Sequence, residues 1–210
     1  MRTLLAVLVA VSLCCSATSA QSVKGKSVFG LKTGINLSTF RTSVDYAYVD
    51  PSLKVGLVFG SFIEIPLSSR FLLQPEFLYS QMGSNAVYSV FGDETFRYNY
   101  FSIPLLIKFK VAKGFNVFAG PEADFLIRAR QKDNDRTITI SNDIKDFDFS
   151  VTAGIEATSE KFAFGLRYIH GTQDVSIEPE FYSFFNQGVQ ATIGYKFSNK
   201  NKRAKKEKTK

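Results

Sequence analysis

Hydrophobic residues recur at every second position along most of this chain. Between Leu53 and Leu67 one face carries Leu53, Val55, Leu57, Phe59, Ile63, Ile65 and Leu67, while Lys54, Gly56, Gly60, Phe62 and Glu64 lie between them. A period of two predicts a strand with two chemically different sides. Seven more segments repeat it: about Val28–Ser38, Phe71–Gln81, Thr95–Lys110, Phe115–Arg128, Asp146–Ala157, Lys161–His170 and Gly188–Phe197. In the clearest, Phe147, Phe149, Val151, Ala153 and Ile155 alternate with Asp148, Ser150, Thr152, Gly154 and Glu156.

The connections alternate in length. Pro66–Arg70, Val111–Gly114 and Thr158–Lys161 are tight, whereas Thr39–Ser52, Met82–Glu94, Ala129–Lys145 and Gly171–Gln187 are long and polar or charged. Each strand reaches the roughly 9–11 residues that a tilted strand needs to cross a bilayer. The expected fold is an eight-stranded antiparallel up-and-down transmembrane β-barrel, with short turns at the periplasm and long loops outside.

A soluble β-sandwich or lipocalin-type barrel would also show period two, but with its apolar faces turned inward. The second face here carries Lys32, Lys54, Glu64, Glu76, Lys108, Glu122, Asp124, Arg128, Asp148, Glu156, Arg167 and Lys196. Eight strands leave an interior that side chains fill, and mixed charges can pair there. The same filling predicts a blocked lumen. Pro75, Pro104 and Pro121 fall inside strands, where proline removes a ladder hydrogen bond, so bulges or lost pairing are expected beside them. The strand glycines, such as Gly34, Gly60, Gly154 and Gly194, are expected to give room to large inward neighbours.

Residues 1–20 read as a cleaved secretory signal peptide: Arg2, an apolar run from Leu4 to Leu13, and small residues Thr18-Ser19-Ala20 before Gln21. The run is shorter than the roughly 18 residues of a spanning helix. Cys14 and Cys15, the only cysteines, lie in this leader. The remainder therefore has neither a disulfide nor a thiolate metal site. Residues 21–198 form the barrel domain, and 199–210 a disordered basic tail.

Of the +7 net charge, Arg2 supplies one and the tail the other six, where Lys200, Lys202, Arg203, Lys205, Lys206, Lys208 and Lys210 face only Glu207. Without Arg2 and the tail, basic and acidic residues are equal in number, which argues against a nucleic-acid partner. The tail reads as a solvated appendage. The remaining readings have it touch anionic headgroups, peptidoglycan or a periplasmic partner.

Gly30–Asn36, the Gln74-Pro75-Glu76-Phe77 phrase, Ser102-Ile103-Pro104-Leu105 and Ala119-Gly120-Pro121-Glu122 together resemble an outer-membrane β-barrel family common in Bacteroidota, the porin-family or PorT-like proteins. The resemblance covers about Val28 to Phe197 and implies fold and location in the cell outer membrane. It also implies an accessory role in secretion or envelope assembly as an alternative function. Two departures stand out: the tail follows Phe197, and tryptophan is absent. Phe96, Tyr98 and Tyr100 are then expected in the interfacial aromatic belt.

Candidate chemistry is sparse. His170, the only histidine, lies near Thr172, Asp174 and Ser176, a faint echo of lipid hydrolases that pair histidine with serine. Composition without geometry does not make a catalytic site, and no enzyme activity is expected. Asp133, Asn134, Asp135, Asp143 and Asp146 could gather calcium but lack an EF-hand's glycine and terminal glutamate. No catalytic, cofactor-binding or metal residue is assigned. The expected function is a non-enzymatic surface scaffold in outer-membrane lipid, with Tyr46, Tyr48, Tyr88 and Phe91 as loop contacts. Ligand and oligomeric state are not legible.

Overall fold

The computed structural model describes residues 26–42, 49–88, 92–133, 136–141, 144–174 and 184–197. Residues 1–25 and 198–210, where the leader and basic tail are expected, and parts of the long connections lie outside them. Ten strands appear: β1 Val28–Thr42, β2 Val49–Ser52, β3 Lys54–Pro66, β4 Phe71–Tyr88, β5 Gly92–Ala112, β6 Phe115–Asp133, β7 Arg136–Thr139, β8 Phe147–Thr158, β9 Phe162–Gly171 and β10 Phe184–Phe197.

Eight of them close a barrel. Antiparallel pairing runs β4-β3-β1-β10-β9-β8-β6-β5, and β5 pairs back to β4, so no long edge is left open. Closure through β1 and β10 joins the two ends of the domain, from Phe29↔Phe197 to Thr42↔Phe184. The tight turns fall as predicted. Thr158 N donates to Gly114 O at 2.8 Å, and Gly114 takes a positive φ of 81° that disfavours a side chain.

The strand faces separate the chemistry. Outward, Leu31, Leu57, Ile107, Ile155, Leu166 and Ile193 are all exposed. Inward, Gln74, Glu76, Lys108, Glu122, Asp148 and Arg167 are at most 4% exposed. This is the inverse of a soluble barrel, and it makes lipid the natural solvent of the outer face. Five outward aromatics on five adjacent strands stand directly opposite one another: Phe59, Tyr79, Phe101, Phe125 and Phe147. A second group, Phe29, Phe71, Phe109, Phe162, Tyr195 and Phe197, packs at the short-turn end, with Phe29 stacked on Phe197 at 5.7 Å.

The prolines behave as expected. The β3–β4, β4–β5 and β5–β6 registers each skip two pairs beside Pro75, Pro104 or Pro121, without a shift. Pro104 is buried and faces the lumen, whereas Pro121 is exposed on the outer face. Gly30 and Gly194 make room for the inward ring of Phe62; a Cβ on Gly30 would come within 2.3 Å of its Cζ.

Three expectations need correction. First, much of what reads as loop is strand. β4 and β5 run on to Tyr88 and Gly92, and β6 continues to Asp133. With β2 and β7 they form a sheet, β2-β4-β5-β6-β7, that continues the barrel wall past its mouth. Second, Arg128 is exposed on the outer face. The β5–β6 register shifts between Asn99 and Tyr100, which leaves Ile127 as an extra residue and reverses the alternation after it. Third, Tyr98 and Tyr100 are 2% and 0% exposed, so they point into the barrel and belong to no belt. Phe96 packs against the same interior cluster.

Candidate functional site

The lumen is the most elaborate constellation in the molecule. Its side chains stack in tiers along the axis. At the short-turn end, Lys108 Nζ reaches Glu156 Oε1 and Oε2 at 2.7 Å and Glu64 Oε1 at 3.1 Å. Lys196 Nζ joins Glu64 at 3.3 Å and donates to Thr158 Oγ1, while Asn116 Nδ2 donates to Glu156 Oε1 at 3.2 Å.

The central tier gathers around Glu76. Its Oε1 accepts from Lys32 Nζ and from Gln74 Nε2, each at 2.5 Å, and its Oε2 accepts from Arg167 Nη1 at 3.2 Å. Arg167 Nη2 lies 3.7 Å from Glu122 Oε2, so one guanidinium spans two carboxylates on opposite sides of Pro104. Lys32 also sits over the Phe62 ring at 5.3 Å.

Above it the network turns neutral and acidic. Ser102 Oγ donates to Asp124, and Ser150 Oγ donates to Asp124 Oδ2 at 3.3 Å. Asn186 Nδ2 reaches Asp148 Oδ2 at 2.8 Å and Tyr100 Oη at 3.1 Å. Gln190 Nε2 donates to Asn36 Oδ1 at 2.8 Å, and Asn36 Nδ2 to Ser80 Oγ at 2.9 Å.

An apolar cluster closes the mouth. Phe40, Met82, Tyr98, Tyr100, Ala129, Ile140, Ile144 and Ile169 are buried against one another. Ile140 and Ile144 lie between β7 and β8 and join this cluster; Ile140 N donates to Ala129 O at 3.1 Å, extending the β6–β7 pairing. The Tyr98 ring lies 5.2 Å from Phe40 and 6.3 Å from Tyr100. Among the described residues, charged tiers and an apolar cluster above them fill the lumen with side chains.

His170 and Thr172, two described members of the faint hydrolase echo, bond elsewhere than to each other. Arg41 Nη1 donates to His170 Nε2 at 3.2 Å, and the His170 ring lies 6.1 Å from Tyr168. Thr172 Oγ1 donates to Phe149 O at 2.7 Å, so it is not engaged with His170. Ser176 lies outside the described residues, as do Asn134, Asp135, Asp143, Tyr46, Tyr48, Phe91 and the side chains of Asp133 and Tyr88. Among the described residues, no group of three His, Cys, Asp or Glu side chains has metal-site geometry.

The outer face of the projecting sheet was missed as a structured surface. Thr95, Arg97, Arg130, Lys132 and Thr137 line a hollow there of about 130 Å³. A signal was present: alternation counted back from Phe101 places Asn99, Arg97 and Thr95 outward and Tyr100, Tyr98 and Phe96 inward.

No curated protein sequence matches the chain. Among solved structures, Neisserial surface protein A superposes with a TM-score of 0.52 at 10% identity, covering 82% of this chain and 100% of that one. Ail, the attachment invasion locus protein of Yersinia pestis, solved with the heparin analogue sucrose octasulfate, gives 0.49 at 12% identity, over 82% of this chain and 100% of that one. The outer membrane protein OprG from Pseudomonas aeruginosa gives 0.41 at 9%, over 84% and 99%. The outer membrane protein beta-barrel domain family matches residues 19–176. That match, with an apolar outer face, a charged interior and closed pairing, places the chain in the outer membrane as a member of the outer membrane protein beta-barrel domain family.

Proposed function

We propose that this protein is a non-catalytic, non-conducting anchor. Its sealed barrel holds the β2-β4-β5-β6-β7 sheet at the cell surface for recognition. The observation that carries this reading is the lumen itself. Among the described residues, Lys32, Lys108, Arg167, Lys196 and six carboxylates fill it, and the cap above them is apolar. Buried charges are costly unless paired. Here they support a rigid plug better than a transport path or a hydrolytic site. The projecting sheet then offers the extended surface available for contact.

The test is single-channel recording of purified protein in a planar bilayer. The proposal expects no stable conductance steps at any applied voltage. Regular openings would contradict it and return the barrel to a porin-like role.

A further inference from the structure

We propose that the outer face of the projecting sheet binds phosphate groups of glycolipids in the outer leaflet, held by Arg97, Arg130 and Lys132. This rests on the surface-anchor reading and gives that surface a ligand.

The cations share one face by register. Arg97 stands directly opposite Arg130, and Thr95 opposite Lys132, which in turn faces Thr137. Like charges directly opposite on a sheet repel. Fold stability alone therefore does not account for the Arg97–Arg130 pair. None of the ion pairs among the described residues involves either arginine or Lys132. Their hollow of about 130 Å³ is well below the roughly 300 Å³ of a small-molecule pocket. It suits one compact anionic group, with the Thr137 hydroxyl as an added donor.

Height selects the lipid. On β6 the outward apolar run extends from Phe115 to Phe125. Ten residues cover roughly 33 Å of strand, or about 25 Å of height at the usual tilt, the height of a barrel's apolar band. Arg130 and Lys132 follow on the same face just above it. On β5, Arg97 stands four residues beyond Phe101, which is 41% exposed to the lipid side. The cations thus meet the layer where outer-leaflet phosphates lie, facing sideways over the lipid.

The experiment uses full-length protein in phosphatidylcholine nanodiscs doped with bisphosphorylated lipid A or its dephosphorylated form. Retained glycolipid is counted by native mass spectrometry. The wild type should retain the phosphorylated form only, and millimolar inorganic phosphate should not displace it. The double variant R97Q/R130Q should retain about tenfold less, without a lower unfolding midpoint, because a repulsive pair has been removed. R97K/R130K should keep most of the binding. Should the double variant fail to fold, K132Q is read in the same assay with the same direction of change. Equal retention by the glutamine variants, equal retention of dephosphorylated lipid, or displacement by free phosphate would each overturn the proposal. Channel activity would sink the anchor reading and leave this result standing.

Discussion

At the scale of the residue, the interior is governed by pairing. Arg167 is 4% exposed and touches Glu76 and Glu122, which are 0% and 1% exposed. Its loss would leave two buried carboxylates short of a counter-charge. Removing one partner of such a pair typically costs about 3–5 kcal/mol. R167A should therefore unfold correspondingly earlier in guanidinium, followed by circular dichroism in detergent. Restoring neutrality with E122Q/R167M, which keeps the Lys32–Glu76 pair, should recover much of the loss. The mouth obeys a different rule. Phe40 packs on Tyr98 and Phe96, so F40A should cost about 3–5 kcal/mol by leaving a cavity. An unchanged midpoint in either variant would mean that the tier or cap does not bear on stability.

At the scale of the element, the alternation was readable and the ends were not. Leu53–Leu67 and Phe147–Ala157 carry their period into the structure intact, because one side meets lipid and the other the lumen. Arg128 was misplaced because a single extra residue, Ile127, reverses the phase, and no composition signal marks that bulge. The Met82–Glu94 stretch read as loop because Gly83, Ser84, Asn85, Gly92, Asp93 and Glu94 leave no apolar face to read. Just beyond it the chemistry inverts: Thr95 and Arg97 face out, and the aromatic Tyr98 faces in. Hydrogen exchange checks this element. Amides of Asn85–Ala86 and Glu94–Thr95 lie in the β4–β5 ladder and should be protected far beyond those of an open loop. Exchange at loop rates would return this stretch to loop. The candidate recognition face was hidden for the same reason: its cations are adjacent only once β5, β6 and β7 pair.

At the scale of the whole molecule, one boundary organises everything: lipid outside the wall, paired charges inside it, and a protein sheet above. Leu166 lies on the outer face of β9 and is 47% exposed. An arginine near the bilayer midplane costs about 2–4 kcal/mol, so L166R should destabilise by that order in liposomes and by much less in a micelle that deforms around it. The basic tail offers a second test. If the barrel and its sheet carry the function, deleting residues 199–210 should leave assembly and secretion unchanged. Impaired secretion would favour the accessory role that the family resemblance implies, with the tail touching a periplasmic partner.

The central claim is that hydrocarbon bathes one set of alternate positions and excludes the other. The direct measurement is oxygen accessibility of nitroxide labels placed one at a time at Leu57, Ile107 and Leu166, and at their neighbours Val58, Leu106 and Arg167, in reconstituted liposomes. The account predicts high oxygen collision rates at the first three sites and low rates at the second three, alternating strictly along each strand. Equal accessibility across the pairs, or the reverse order, would contradict it.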